Sequence, residues 1–272
     1  MIKLRIKYIF NLLIISILLF SCYKSDDVGD ILLVEPSEFT QKVLIEDYTG
    51  TWCVNCPKAG AAIHRVVHGA NGNDRFIPVA IHYRSSEEEM MNEFSQALVA
   101  QFNPNGIFPT VALNRNEAIW ADDYLVSNLE SKLNRYAPVG LAINSTLTGN
   151  LIDLTVQVGF VEELTTVNNY KLVVYLVEDG LIYPQHTIST PSIIEDYVHN
   201  DVLRYSFTDT LGDALPNEIA VDHRHTKSFM SIALPNTIQN TSNIRIVAFV
   251  VDATNNCLNV QMAPVGVDKD FD

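Results

Sequence analysis

The sequence predicts a two-domain protein: an α/β fold over residues 40–137, followed by an all-β antiparallel sandwich over residues 138–272. Two observations predict this division. Between residues 43 and 135, short apolar strand patterns alternate with amphipathic helical ones, as a sheet covered by helices requires. After Tyr136-Ala137-Pro138 helical periodicity ceases, and alternating segments punctuated by polar turns take over.

Residues 43–45 begin a short buried strand, and residues 53–67 read as a helix. Residues 76–83 are β-rich, and residues 87–102 are helical, with Met90, Met91, Phe94, Leu98 and Phe102 apolar. The run Glu87-Glu88-Glu89 reads as the acidic first turn of that helix, where the helix dipole favours negative charge. Residues 110–113 form the next strand, and Asn114-Arg115-Asn116 is a tight turn into residues 118–120. Asp122 caps a last helix with Leu125, Leu129 and Leu133 on one face. In the second region, residues 141–147 and 151–160 alternate around Gly149-Asn150, which predicts a hairpin. Residues 170–177 form a mostly apolar strand, and 203–207, 229–234, 244–251 and 258–264 are further strands. Such a set fits an immunoglobulin-like sandwich.

With 272 residues and 47% hydrophobic composition the chain can build a core unaided, and 4 Cys could not supply a dense disulfide framework. The 32 acidic against 18 basic residues leave a net charge of −14, which argues against nucleic acid as a partner. The same balance argues against adhesion to an anionic membrane through a basic patch.

Lys3, Arg5 and Lys7 precede an apolar stretch over residues 8–20, too short for a comfortable membrane span. This is the build of a signal peptide over residues 1–21. Its end, Leu19-Phe20-Ser21-Cys22, resembles the bacterial lipoprotein signal. The resemblance implies that Cys22 is lipidated, becomes the new N-terminus and anchors the protein in a membrane, with residues 22–39 as tether. Tyr23 rather than Asp follows Cys22, which in such lipoproteins implies the outer membrane. An ordinary secretory signal is the alternative. Removal of residues 1–21 takes away three positive charges and no negative ones, from −14 to −17. Export also implies a compartment in which disulfides persist.

The chemistry concentrates in Asp47-Tyr-Thr-Gly-Thr-Trp52-Cys53-Val54-Asn55-Cys56-Pro57. A Cys-x-x-Cys at a strand-to-helix junction places the first sulfur where free N–H groups and the helix dipole favour a thiolate. Cys53 is then the attacking group, and Cys56 can reach back to resolve a mixed disulfide.

These residues resemble the thioredoxin superfamily over about residues 40–136. Trp52 precedes Cys53 as in that family, and Asp47 matches the buried acid that takes the proton of the resolving cysteine. Ile107-Phe108-Pro109-Thr110 matches the cis-proline segment, so Phe108 and Pro109 would flank bound substrate. The resemblance implies thiol–disulfide exchange on exported proteins, an unidentified redox partner and no organic cofactor. Three departures stand out. Val54-Asn55 replaces the Gly-Pro typical of thioredoxin, so the redox direction is open. Pro57 directly follows Cys56, early in a helix where its missing N–H is tolerated. Ile81 falls where thioredoxin has a lysine near the acid, so desolvation should raise the pKa of Asp47.

The whole chain also resembles the Bacteroidetes outer membrane lipoproteins named after a twenty-eight-kilodalton outer membrane protein. The residues that carry this are Thr49-Gly-Thr-Trp-Cys-Val-Asn-Cys-Pro57, Phe108-Pro-Thr-Val-Ala-Leu-Asn-Arg115, Val177-Glu-Asp-Gly180 and His199-Asn-Asp-Val-Leu-Arg204. The resemblance implies a thioredoxin-like domain joined to a β-rich one, in the cell envelope.

Other readings of the same residues stay open. Cys53 and Cys56 could form a structural or vestigial disulfide in a non-catalytic surface or outer-membrane interaction protein. A structural zinc site needs four ligands and no second Cys pair exists, so no metal is expected. His64 and His68 share a helix face, and His223 and His225 could share a strand face; ordinary surface or polar contacts are their default. Cys257 lies in a turn between two strands and is expected to be unpaired.

Overall fold

The computed structural model describes residues 39–68, 74–86, 88–119, 129, 131–133, 135–162, 169–219 and 224–272. The expected signal peptide, Cys22 and tether residues 22–38 lie outside these, as do Glu87, Trp120, Asp122, Leu125 and His223.

Strand β1 (Val43–Thr49) has all seven residues buried, because it is flanked on both sides. It runs parallel to β2 (Phe76–His82) and antiparallel to β3 (Thr110–Leu113). β3 turns back into β4 (Glu117–Ile119) through Asn114 and Arg115, both left-handed at φ 51° and 58°. Paired positive φ values suit the tight hairpin turn.

Alternation along β1 sends its side chains to two faces. Val43 and Ile45 meet Ala59, Ala62, Ile63 and Val66 of helix α1 (Cys56–His68). Leu44 and Tyr48 face the other way, into a cluster with Leu98 and Val99 of helix α2 (Glu93–Phe102). α2 starts later than the sequence predicts, because Asn92 and Ser95 form a reciprocal capping box that fixes its first turn. Glu88 therefore lies before the helix, and it is buried rather than part of an acidic first turn.

In the second half, β5 (Val139–Thr148), β6 (Leu151–Phe160) and β14 (His225–Ala233) form a three-stranded antiparallel sheet. β7 (Lys171–Glu178) lies between β15 (Ile244–Val251) and β12 (Val202–Ser206), and β16 (Cys257–Pro264) pairs β15 on its far side. β12 in turn meets β2, with Val202 paired in parallel to Ala80. One sheet thus runs β16-β15-β7-β12-β2-β1-β3-β4, and β13 (Asp213–Ala214) adds to β7 as its ninth strand.

The boundary expected at Pro138 is therefore not a break between two sheets. The reason is legible in β7 and β15, which are apolar at nearly every position. Leu172, Val174 and Leu176 pack with Ile246, Ala248 and Val250 against β5, β6 and β14. Val173, Tyr175 and Val177 pack with Val247, Phe249 and Val251 on the α2 side. Strands buried on both faces belong in the middle of a layered structure. The result is a mostly β, mixed α/β architecture.

Candidate functional site around the Cys53–Cys56 disulfide

Cys53 and Cys56 are joined by a disulfide where β1 leads into α1. The helix begins at Cys56, not at Cys53. Cys53 lies in the turn before it; its N–H donates to the Gly50 carbonyl at 3.1 Å, and its carbonyl accepts from the Cys56 N–H at 3.2 Å. Pro57 follows at a position with no helical N–H to lose. Both cysteines are buried, 4% and 3% exposed, whereas Val54 between them faces solvent.

Trp52, Phe108 and Pro109 come together beside this loop. The Trp52 indole N–H donates to the Tyr83 carbonyl at 2.9 Å, and its ring meets the Phe108 ring edge-on at 5.5 Å. Tyr83 stacks on Phe108 at 6.1 Å, and the Phe108–Pro109 peptide is cis. Only glycine fits at position 50, because a Cβ there would lie 2.6 Å from Trp52 Nε1 and 2.9 Å from the Tyr83 carbonyl.

Asp47 lies on the α1 face of β1. With Cys56, Gly60, His64, Tyr197 and Asp201 it lines a cavity of about 450 Å³ between α1 and residues 197–201. Its Oδ1 is buried without a hydrogen-bond partner among the described residues. Burial, followed by the nearby charge of Asp201, raises its pKa to about 7. Ile81 packs into the α2-side cluster. The Tyr197 hydroxyl lies 3.6 Å from where a Cβ of Gly60 would sit, so it rests on α1. Burial, then the charge of Asp47, raises the pKa of Tyr197.

Spacing and periodicity do not place several further residues at the site. His82 Nδ1 lies 2.8 Å from Glu88 Oε1, which also accepts the Thr51 N–H at 3.3 Å. Burial alone would push the Glu88 carboxyl up; the hydrogen bond and charge of His82 outweigh it and hold the carboxyl below its usual range. The His199 ring lies 5.2 Å from that of His82. Burial, then His82, lowers the His199 pKa to about 4.

A strap from the second half of the chain crosses the disulfide loop. It follows β8 (Leu181–Ile182), which pairs with β11 (Val198–His199), and contains β9 (Gln185–His186), held extended by pairing with β10 (Ile193–Ile194). The His186 N–H donates to the Thr51 carbonyl at 2.7 Å, and the Ile188 N–H donates to the Val54 carbonyl at 3.1 Å. The buried Gln185 side-chain amide donates to the carbonyls of Gly50 at 3.3 Å, Cys53 at 3.1 Å and His186 at 2.9 Å.

His64 and His68 are exposed on α1, ring centroids 4.8 Å apart, at the edge of the same cavity as Asp47. The remaining candidates fall elsewhere. His225 lies in β14, part of the separate three-stranded sheet. Among the described residues no three His, Cys, Asp or Glu side chains are grouped to hold a metal ion. Cys257 is a free, buried thiol at the start of β16, its N–H donating to the Asn114 carbonyl at 2.8 Å. Burial pushes its pKa well up.

The arrangement places a cysteine pair at the start of a helix, in a loop whose Cys56 shares a cavity with a buried carboxyl of raised pKa.

The outer membrane protein Omp28 family matches residues 95–269, nearly two thirds of the chain, beginning downstream of the disulfide. Among solved structures, HBP35 of Porphyromonas gingivalis is similar with a TM-score of 0.63 and 19% identity, over 85% of this chain and 77% of that one. A protein of Agrobacterium tumefaciens is similar with a TM-score of 0.50 and 12% identity, over 87% and 99%. A domain of the outer membrane lipoprotein Omp28 from Porphyromonas gingivalis has a TM-score of 0.31 and 19% identity, over 48% and 90%. The first two likenesses show shared fold; the third is too low to carry an argument. No curated protein matches the sequence.

Proposed function

As the chain belongs to the outer membrane protein Omp28 family and so resides in the outer membrane, we propose that it carries out thiol–disulfide exchange there on exported proteins. Lipid on Cys22 anchors it. The observation that carries the exchange reading is Asp47, whose buried, unpartnered carboxyl oxygen shares a cavity with Cys56. A carboxyl with no structural partner and a pKa near 7 suits proton transfer better than stability.

In this mechanism the Cys53 thiolate attacks a substrate disulfide, forming a mixed disulfide and releasing one substrate thiolate. Asp47 takes the proton of Cys56, whose thiolate then attacks the Cys53 sulfur. The second substrate thiolate leaves, and the Cys53–Cys56 bond forms. Run backwards, the same steps oxidise a substrate dithiol; a redox partner resets the pair. The parallel β1–β2 pair and the antiparallel β3 support a thioredoxin-like reading of residues 40–137. Trp52, Phe108 and Pro109 then form the substrate groove.

A second reading is a non-catalytic interaction protein with a structural disulfide. Two observations favour it: both cysteines are nearly buried, and the family match begins only at Ser95. Reduction of a protein disulfide with excess small dithiol as the terminal reductant separates the two. Exchange predicts multiple turnovers, above the rate with the dithiol alone, that Cys53→Ser abolishes; a structural disulfide predicts no acceleration by either protein.

A further inference from the structure

We infer that the strap around Gln185, contributed by the second half of the chain, is a working part of the disulfide site. Gln185 is the positioning residue that holds the two thiols together and so sets their redox equilibrium. This rests on the exchange reading, because it needs a pair that opens and closes.

The Gln185 side chain is 2% exposed, so its amide is shielded from water and bonds only within the protein. Two N–H protons face three carbonyls, of which those of Gly50 and Cys53 belong to the loop that ends at Cys56. The pattern requires a donor: a carboxylate at this position would set its oxygens against carbonyl oxygens. Backbone bonds from His186 to Thr51 and from Ile188 to Val54 fasten the strap on both sides of Cys53. The side chain also lines the cavity that holds Asp47 and Cys56. The site is therefore assembled from residues more than 130 positions apart in the chain.

The clamp acts unequally on the two redox states. In the disulfide form the S–S bond already fixes the distance between residues 53 and 56. In the dithiol form only hydrogen bonds hold the loop, so the clamp keeps the thiols near bonding distance and raises their effective molarity toward each other. It thereby favours the disulfide. Without it, ring closure is less favourable and the pair becomes easier to reduce.

The test is the midpoint potential of the full mature chain in graded thiol–disulfide buffers, with Cys257→Ser to remove the spare thiol. Gln185→Met keeps the bulk and removes the donors; Ile188→Pro removes a different tie at an exposed side chain. Melting of the oxidised proteins reports on folding. Wild type is expected to titrate reversibly. Each variant is expected to lose about tenfold in effective molarity, a rise of about 30 mV, with the oxidised fold retained. Variants that titrate at the wild-type midpoint overturn the clamp while leaving exchange standing. A wild-type pair that never equilibrates with the buffers overturns the exchange reading itself, and the clamp with it.

Discussion

His82 Nδ1 and Glu88 Oε1 lie 2.8 Å apart, with side chains only 2% and 1% exposed, directly behind the disulfide loop. The contact joins β2 to the segment before α2 and, through the Thr51 N–H, to the loop itself. Glu88→Ala leaves the Thr51 N–H and His82 Nδ1 buried without this acceptor, at a cost of about 1–3 kcal/mol. Because the folded carboxyl is held below its ordinary value of 4.5, its contribution is present above that pH. It is lost as pH falls through the folded value. Urea unfolding of wild type and Glu88→Ala at pH 7 and pH 3 should show the difference shrink at the lower pH.

Asp47 has the opposite sign. Its folded pKa of about 7 lies above the ordinary 3.8, so the folded state binds the extra proton between these values. Stability from this group is lost as pH rises through that window, by up to about 4 kcal/mol. Asp47→Asn should match wild type near pH 4 and exceed it in stability at pH 8, while slowing the attack of Cys56. Denaturation curves at the two pH values, together with single-turnover exchange, check both halves.

His199 opposes Asp47 over nearly the same range. With a folded pKa of about 4 against an ordinary 6.5, it stays neutral in the fold while the unfolded chain takes up a proton. Its contribution is complete above pH 6.5 and is lost as pH falls toward 4, by up to about 3 kcal/mol. In Asp47→Asn, where the opposing carboxyl is gone, stability should therefore climb between pH 4.5 and 7. The same measurement on Asp47→Asn with His199→Gln should show a flatter profile.

On the α2 face of β1, Arg115 and Glu46 form an ion pair at 2.9 Å with both side chains fully buried. The guanidinium also lies 4.7 Å from the ring centres of Phe102 and Phe249 and donates to the Tyr175 hydroxyl at 2.7 Å. Arg115→Ala would strand the Glu46 carboxylate, at a cost of about 3–5 kcal/mol. Equilibrium unfolding reads this directly, and the pair's separation from the α1-side cavity predicts a disulfide midpoint close to wild type.

Part of this was legible in the sequence because it is local. Asp47, Trp52, Cys53 and Cys56 lie within ten residues, and strand-then-helix periodicity places the pair at a junction. The Asn114-Arg115 turn was readable for the same reason. Gln185, Tyr197 and His199 reach the site from more than 120 residues away, in two-residue strands and connections without periodicity. Three consecutive acids before an apolar repeat look like a helix start, whereas the capping box at Asn92 and Ser95 moves that start downstream of Glu88. The boundary at Pro138 followed a real change of pattern. The unbroken apolar runs of β7 and β15 were the sign that both faces are covered, and that one sheet spans both regions.

Exchange requires that the Cys53–Cys56 pair open and close under physiological redox conditions. Its midpoint potential tests this most directly, measured on the mature wild-type chain in graded thiol–disulfide buffers at pH 7. Exchange predicts a reversible transition between about −270 and −120 mV, the range of working exchangers. A value below about −300 mV would contradict it and mark the pair as a structural disulfide.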